Sequence, residues 1–260
     1  KIELAGAVPV FATLEAEDNY PLRAAAIEAK VSDRTRAIVL VNPSNPTGRV
    51  YSLAELQGLA DVAIRHDLIV FADEVYEDIV YDGARHISIA AIDGMQDRTV
   101  SMFAFTKSYA MDGWRIGYLA APRWLMPALL KIAMNDVTHV NTFVQDGARA
   151  AVLGPKSVLE ELVADDRRKR DFVVRSLNQM PGVHCALPEG TIYAFPDVSR
   201  TGLASQELAD RILEEAHVVV EAGSFYGAAG EGRLRICFGS ESTERLEQGM
   251  RRLAAFFNGL

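Results

Sequence analysis

Between residues 36 and 122, short apolar runs alternate with longer segments whose apolar positions recur every three or four residues. Ala37-Ile38-Val39-Leu40-Val41 is one such run, rich in β-branched side chains and ended by Asn42-Pro43-Ser44-Asn45-Pro46, and it predicts a buried strand. Leu68–Ala72, Thr99–Phe103 and Arg115–Ala120 predict three more, and Val8–Thr13 a weaker one. Between the first two runs, Leu53, Leu56, Leu59, Ala60 and Ala63 fall on one helix face. Ser52 stands before them as an N-cap, and Glu55, three residues on, completes a capping box. Continuous apolar strands separated by helix-length segments predict a mostly parallel α/β sheet covered on both faces.

Beyond Pro122 the pattern lengthens. Helices are expected at Trp124–His139 and Thr142–Leu153, then at Lys156–Gln179 after the Gly154-Pro155 break. The mixed-sign run Asp165–Asp171 on the third of these reads as a solvated helix face. Strands near Val183–Ala186 and Thr191–Phe195, a helix near Ser205–His217, a strand at Leu234–Phe238 and a helix at Thr243–Phe257 complete a smaller α+β unit. The expected division is therefore residues 1–154 as part of a large domain and 155–260 as a C-terminal small domain.

Composition narrows the class. Of 260 residues, 49% are apolar and 24% charged, which excludes a disordered chain. No apolar stretch is long enough to span a bilayer, so no membrane partner is expected. A net charge of −8 argues against a nucleic-acid partner. Cys185 and Cys237 cannot build a disulfide framework, which points to a reducing, cytoplasmic compartment. The five histidines have no metal-ligand spacing, so no metal site is expected. The glycines of Gly227–Gly232 do not join a strand to its crossover helix, and a flexible turn is the better reading than a dinucleotide loop.

Three patterns carry candidate chemistry. Asn42-Pro43-Ser44-Asn45-Pro46-Thr47-Gly48 follows a strand directly, and its two prolines stiffen a loop that aims an asparagine side chain. Asp73 ends the second strand, where open parallel sheets bind ligands, with Tyr76 three residues on. Lys107, one of six lysines, alone follows a buried apolar strand and precedes an aromatic, glycine-containing turn; such surroundings desolvate an amine and free it as a nucleophile.

Together, Asn45-Pro46-Thr47-Gly48, Asp73 with Tyr76, and Lys107 followed eight residues later by Arg115 resemble the signature set of pyridoxal-phosphate-dependent class I/II aminotransferases. The similarity runs over essentially the whole chain, including Pro188-Glu189-Gly190 and the strand of Arg235. It implies the aspartate-aminotransferase-like fold type I. It also implies transfer of an amino group between an amino acid and a 2-oxo acid through pyridoxal 5'-phosphate held on Lys107 as a Schiff base, Lys107 then serving as general base. By the same resemblance Asp73 pairs with the pyridinium nitrogen, Tyr76 and Asn45 bond the ring's phenolic oxygen, Arg115 binds the phosphate, and Arg235 clamps the substrate α-carboxylate. A homodimer is implied too.

The chain departs from the family in two ways. Ala104 stands three residues before Lys107, where members usually carry Ser or Gly, and removes a hydroxyl donor for the phosphate. The chain also starts at Lys1 without an initiator Met and shows fewer large-sheet strands than the family, so a fragment lacking the family's N-terminal part is expected. Two alternatives share these residues: a lyase that eliminates a β-substituent after the same proton abstraction, and a non-catalytic effector domain.

Overall fold

The computed structural model describes residues 1–16 and 18–260. Among the described residues, seven strands form two sheets. The first is ordered β1 (Ala37–Val41), β2 (Ile69–Asp73), β3 (Thr99–Ala104), β4 (Gly117–Ala120). Strands β1, β2 and β3 run parallel, with Val41 opposite Asp73 and Asp73 opposite Met102, while β4 returns antiparallel, with Ala104 opposite Gly117. The mostly parallel α/β sheet expected from the sequence is the one observed.

Eight α-helices accompany the sheets among the described residues. Helix α1 is Ala24–Glu28 and α2 is Leu53–Arg65; α3 (Phe105–Ser108) is a single turn after β3. Met126–Asp136, Thr142–Leu153 and Lys156–Leu177 form α4, α5 and α6; Ser205–Arg211 and Thr243–Asn258 form α7 and α8. Helix α2 begins as its sequence dictates: the Ser52 side chain accepts from the Glu55 N–H and Glu55 reaches back to the Ser52 N–H. Its Leu56, Leu59, Ala60 and Ala63 pack on Leu40, Val70 and Ala72 of the sheet, while Leu53 in the first turn stays exposed. None of the described helices is long and apolar enough to cross a membrane.

Several expectations need correcting. The first sheet is covered on both faces only at its centre: Val100 is 1% exposed, but Val39, on the same face at the β1 edge, is 55% exposed, and every residue of β4 is exposed. An all-apolar strand does not record whether anything packs on its second face. Residues 8–13 form no strand, because their apolar residues meet no partner ladder, and Val8, Val10 and Phe11 are exposed. Residues 183–186 supply only an isolated bridge from His184 to Asp197. The Asp165–Asp171 run is not wholly solvated either. Arg170 is buried inside the fold, donating to the Pro188 carbonyl at 3.0 Å, pairing with Asp82 and Asp171, and lying over the Tyr81 ring.

The second sheet is antiparallel, ordered β5 (Tyr193–Ala194), β7 (Leu234–Cys237), β6 (Glu221–Ala222). Its core includes Val173 and Leu177 of α6, Leu208 of α7, and Met250 and Leu253 of α8. Tyr76, Ile79 and Tyr81, which follow β2, are buried in this second core. That segment is tied to residues 189–191 by Tyr81 N–H to the Glu189 carbonyl, Thr191 N–H to the Ile79 carbonyl, and the Tyr81 hydroxyl to the Thr191 carbonyl at 2.6 Å. Close backbone approach explains Gly48 in the same region: its φ is +73°, and a Cβ there would lie 2.5 Å from Pro188 Cβ.

Candidate active site

Because β1, β2 and β3 are parallel, their carboxyl ends share one edge, and the segments leaving them carry Asn45, Asp73 and Lys107. The loop after β1 is held by its own bonds. Ser44 N–H donates to the Arg49 carbonyl, Gly48 N–H to the Ser44 carbonyl, and the Asn42 side-chain oxygen accepts from Tyr51 N–H at 3.1 Å. Both Asn-Pro peptide bonds in the loop are cis.

Asn45 accepts a hydrogen bond from Arg235 Nη1 at 3.0 Å, linking the first sheet's edge to β7 across 190 residues. The Arg235 guanidinium lies over the Tyr193 ring at 4.2 Å, and the Tyr76 hydroxyl donates to that of Tyr193 at 3.1 Å. Four elements thus bring Asn45, Tyr76, Tyr193 and Arg235 into one connected group. Burial first, then the bond to Tyr193, pushes the Tyr76 hydroxyl well above the usual phenol range and keeps it protonated.

Asp73 is half-buried and accepts one hydrogen bond, from Val75 N–H at 3.3 Å. Burial raises its carboxyl above the usual aspartate range; the Val75 bond and the charge of Lys1 act in the opposite sense. It makes no ion pair among the described residues. Its neighbour Glu74 points into the protein instead. That carboxylate accepts from Ser101 Oγ at 2.6 Å and Ser88 Oγ at 2.9 Å, and lies 2.7 Å from His86 Nε2. An ionised Glu74 makes Nε2 the donor, leaving Nδ1 to accept from Asn42 Nδ2 at 3.4 Å. This network fastens the ends of β1, β2 and β3 to one another and fixes where Asp73 stands.

Lys107 is half-buried on α3 and has no ion pair among the described residues. Ala104, just before α3, offers no hydroxyl, and no side chain caps that helix. Arg115 is placed differently. It is exposed, has φ +52°, and donates to the Asp112 carbonyl of its own turn at 2.8 Å. The structure does not join it to the other predicted residues.

Sequence reading alone did not single out Tyr193, Glu221 or Tyr226. Glu221 ion-pairs with Arg235, and the Tyr226 hydroxyl donates to Glu221 Oε2 at 2.7 Å. A carboxylate closing the apolar run Val218-Val219-Val220 was the available signal, but its meaning depends on the strand opposite. Arg49 was likewise missed: it bonds Glu189 and Glu55, and the Glu189 carboxylate also accepts from Val50 N–H at 3.0 Å.

Comparison with known proteins adds to this geometry. The family model for aminotransferase class I and II matches residues 1–253. Aromatic-amino-acid aminotransferase 2 of Thermococcus litoralis and aspartate aminotransferase of Pyrococcus abyssi are each 40% identical over 252 residues, covering 96% of this chain and 64% of their own length. The solved aromatic aminotransferase from Pyrococcus horikoshii superposes with a TM-score of 0.95 at 39% identity, over 99% of this chain and 69% of that one. The chain therefore spans somewhat less than two thirds of the curated relatives it matches.

Proposed function

The chain belongs to the class I and II aminotransferase family, and from that premise we propose that it takes part in moving an amino group between an amino acid and a 2-oxo acid, with Lys107 at the reacting centre. The family is pyridoxal-phosphate-dependent. When bound, that cofactor supplies an electrophilic carbon for an amine and a ring that takes up the electrons of a deprotonated Cα.

The donor set fits such a group. A half-buried carboxylate with no ion pair among the described residues, Asp73, stands at the sheet edge and matches a protonated ring nitrogen. Lys107 leaves the adjacent strand with its amine uncommitted to any carboxylate among the described residues. The observation that carries the proposal is this gathering of Asn45, Asp73 and Lys107 at the carboxyl ends of three parallel strands, with Asn45 already bonded to Arg235.

In this reading Lys107 Nζ holds the cofactor and, when released, moves the substrate Cα proton. Asp73 keeps the ring nitrogen protonated, and Glu74, bound to His86, Ser88 and Ser101, keeps Asp73 in place. Tyr76, its hydroxyl turning from Tyr193, and Asn45 hydrogen-bond the ring's phenolic oxygen, Arg115 turns from its own loop to the phosphate, and Arg235 receives the α-carboxylate. Residues 1–154 form part of the large cofactor-binding domain and 155–260 the small one. The assembly is a homodimer, readable by light scattering.

Borohydride reduction of the cofactor-loaded protein followed by peptide mapping is the test. A visible absorbance band that is bleached on reduction, with the cofactor label then mapping to Lys107 and absent from Lys107→Ala, supports the assignment; a label on another lysine overturns it. Amino-group transfer with ping-pong kinetics supports the reaction, whereas release of pyruvate and ammonia without an oxo-acid acceptor indicates elimination instead.

A further inference from the structure

Strands β6 and β7 pair antiparallel with Glu221 directly opposite Arg235. Directly opposed residues project to the same face, and opposite charges in that position attract. The contact is made: Glu221 Oε1 pairs with Arg235 Nη2, while Oε2 accepts from the Tyr226 hydroxyl at 2.7 Å. The other terminal nitrogen, Nη1, donates to Asn45 Oδ1 at 3.0 Å. Tyr193 covers the guanidinium at 4.2 Å, and Tyr226 lies 5.4 Å away. Both terminal nitrogens of the fork therefore already have an acceptor.

Those acceptors differ in kind. Asn45 is neutral and can stay when a carboxylate approaches. Glu221 is an anion, and a second carboxylate arriving beside it would put two negative charges on one guanidinium. Exposure separates the partners as well: the Arg235 side chain is 15% exposed, whereas that of Glu221 is 43% exposed. Glu221 can move into water without stranding a buried charge, and Arg235 cannot. Burial, reinforced by the bond to Glu221, raises the Tyr226 hydroxyl and keeps it a neutral donor that can hold the displaced carboxylate nearby.

We propose that Glu221 is an internal carboxylate that occupies Arg235 in the free protein, and that a carboxylate ligand enters by displacing it. The inference rests on the reading of Arg235 as the α-carboxylate site. It makes Glu221 a determinant of affinity, which lowers carboxylate binding and speeds release, rather than a strut for Arg235.

Calorimetric titration of the whole chain with 3-phenylpropionate, a carboxylate without an amino group, tests this with and without the cofactor. The expected result is that Glu221→Gln binds the probe about tenfold more tightly than the unsubstituted chain, the scale of one partly screened charge contact. Glu221→Ala, which cannot bond Arg235 at all, also binds more tightly, and Arg235→Gln abolishes binding in every background. Thermal melts establish that each variant is folded. If both Glu221 variants bind equally or more weakly while Arg235→Gln still abolishes binding, Glu221 positions Arg235 and displacement is wrong, though the carboxylate site stands. If Arg235→Gln binds as well as the unsubstituted chain, the carboxylate-site reading falls, and the displacement with it.

Discussion

Around Arg170 and around Arg235 the chain builds the same local arrangement, a guanidinium laid over a tyrosine ring, at 4.6 Å from Tyr81 and 4.2 Å from Tyr193. Their other partners differ. Arg170 donates to the buried Pro188 carbonyl and pairs with Asp82 and Asp171, its own side chain only 2% exposed. Arg235 is held by an amide and by one carboxylate that reaches solvent. The carboxylates reach solvent at both sites, Asp82 and Asp171 as much as Glu221, so the difference is the buried Pro188 carbonyl, a backbone acceptor that cannot leave Arg170. Arg235 has no such fixed acceptor, and its partners can be exchanged, as a binding site requires. Ring stacking alone therefore does not mark a functional arginine; the freedom of its acceptors does.

The largest expected effect tests the permanent member. Arg170→Ala should lower unfolding stability by about 3 kcal/mol, since it leaves the Asp171 carboxylate and the buried Pro188 carbonyl without their donor and takes from Asp82 one of its two arginines. Arg235→Gln should cost about 1 kcal/mol or less while removing carboxylate binding. Chemical denaturation of both variants beside the titration above checks the contrast, and equal stability losses would break it.

Gly48→Ala comes next, at about 2 kcal/mol, from a positive φ combined with a Cβ driven into Pro188. Tyr81→Phe should cost about 1 kcal/mol, because the Thr191 carbonyl loses its 2.6 Å donor while the ring under Arg170 stays. Both are read by urea midpoints. In the Tyr81 variant an unchanged midpoint would show that the ring alone supports Arg170.

The smallest effect concerns pH. Asp166, one turn before Arg170 on α6, is pushed up to about 6 by burial, with Lys169 acting against the shift and Asp165 adding to it. A carboxyl raised in the folded state is penalised once ionised, so the penalty is full above pH 6 and fades as pH falls toward 3.8. Asp166→Asn should stabilise the protein at pH 8 by ~1 kcal/mol after allowance for partial exposure, and by nothing near pH 3.5. Thermal melts across that range give the sign.

What the sequence revealed followed the range of each interaction. Strand β1 and helix α5 lie where the pattern places them, and the Ser52–Glu55 capping box forms, because each depends on residues a few positions apart. The shared placement of Asn45, Asp73 and Lys107 was legible for a related reason: each follows an apolar strand, and parallel strands end together. Tyr193, Glu221 and the burial of Arg170 were hidden because they depend on register between distant segments. The hydroxyl bond from Tyr76 to Tyr193 spans 117 residues. Arg170 looked like its solvated neighbours Arg167 and Arg168 until Pro188 and Tyr81 were placed beside it. The open face of β1 escaped notice because Val39 is as apolar as Leu40.

The contact of Arg49 with Glu189 has a kinetic consequence. It closes a loop of 140 residues, and the carbonyl of Gly48 accepts from the N–H groups of Glu189 and Gly190 at the same closure. Loop entropy must be overcome before such a contact rewards the chain, so the closure belongs late in folding, after each sheet has collapsed on its own helices. An interaction absent from the transition state acts on the way out: Glu189→Gln should quicken unfolding severalfold and leave the refolding rate nearly unchanged. The clasp between the two sheets then governs how long the molecule stays folded more than how quickly it gets there.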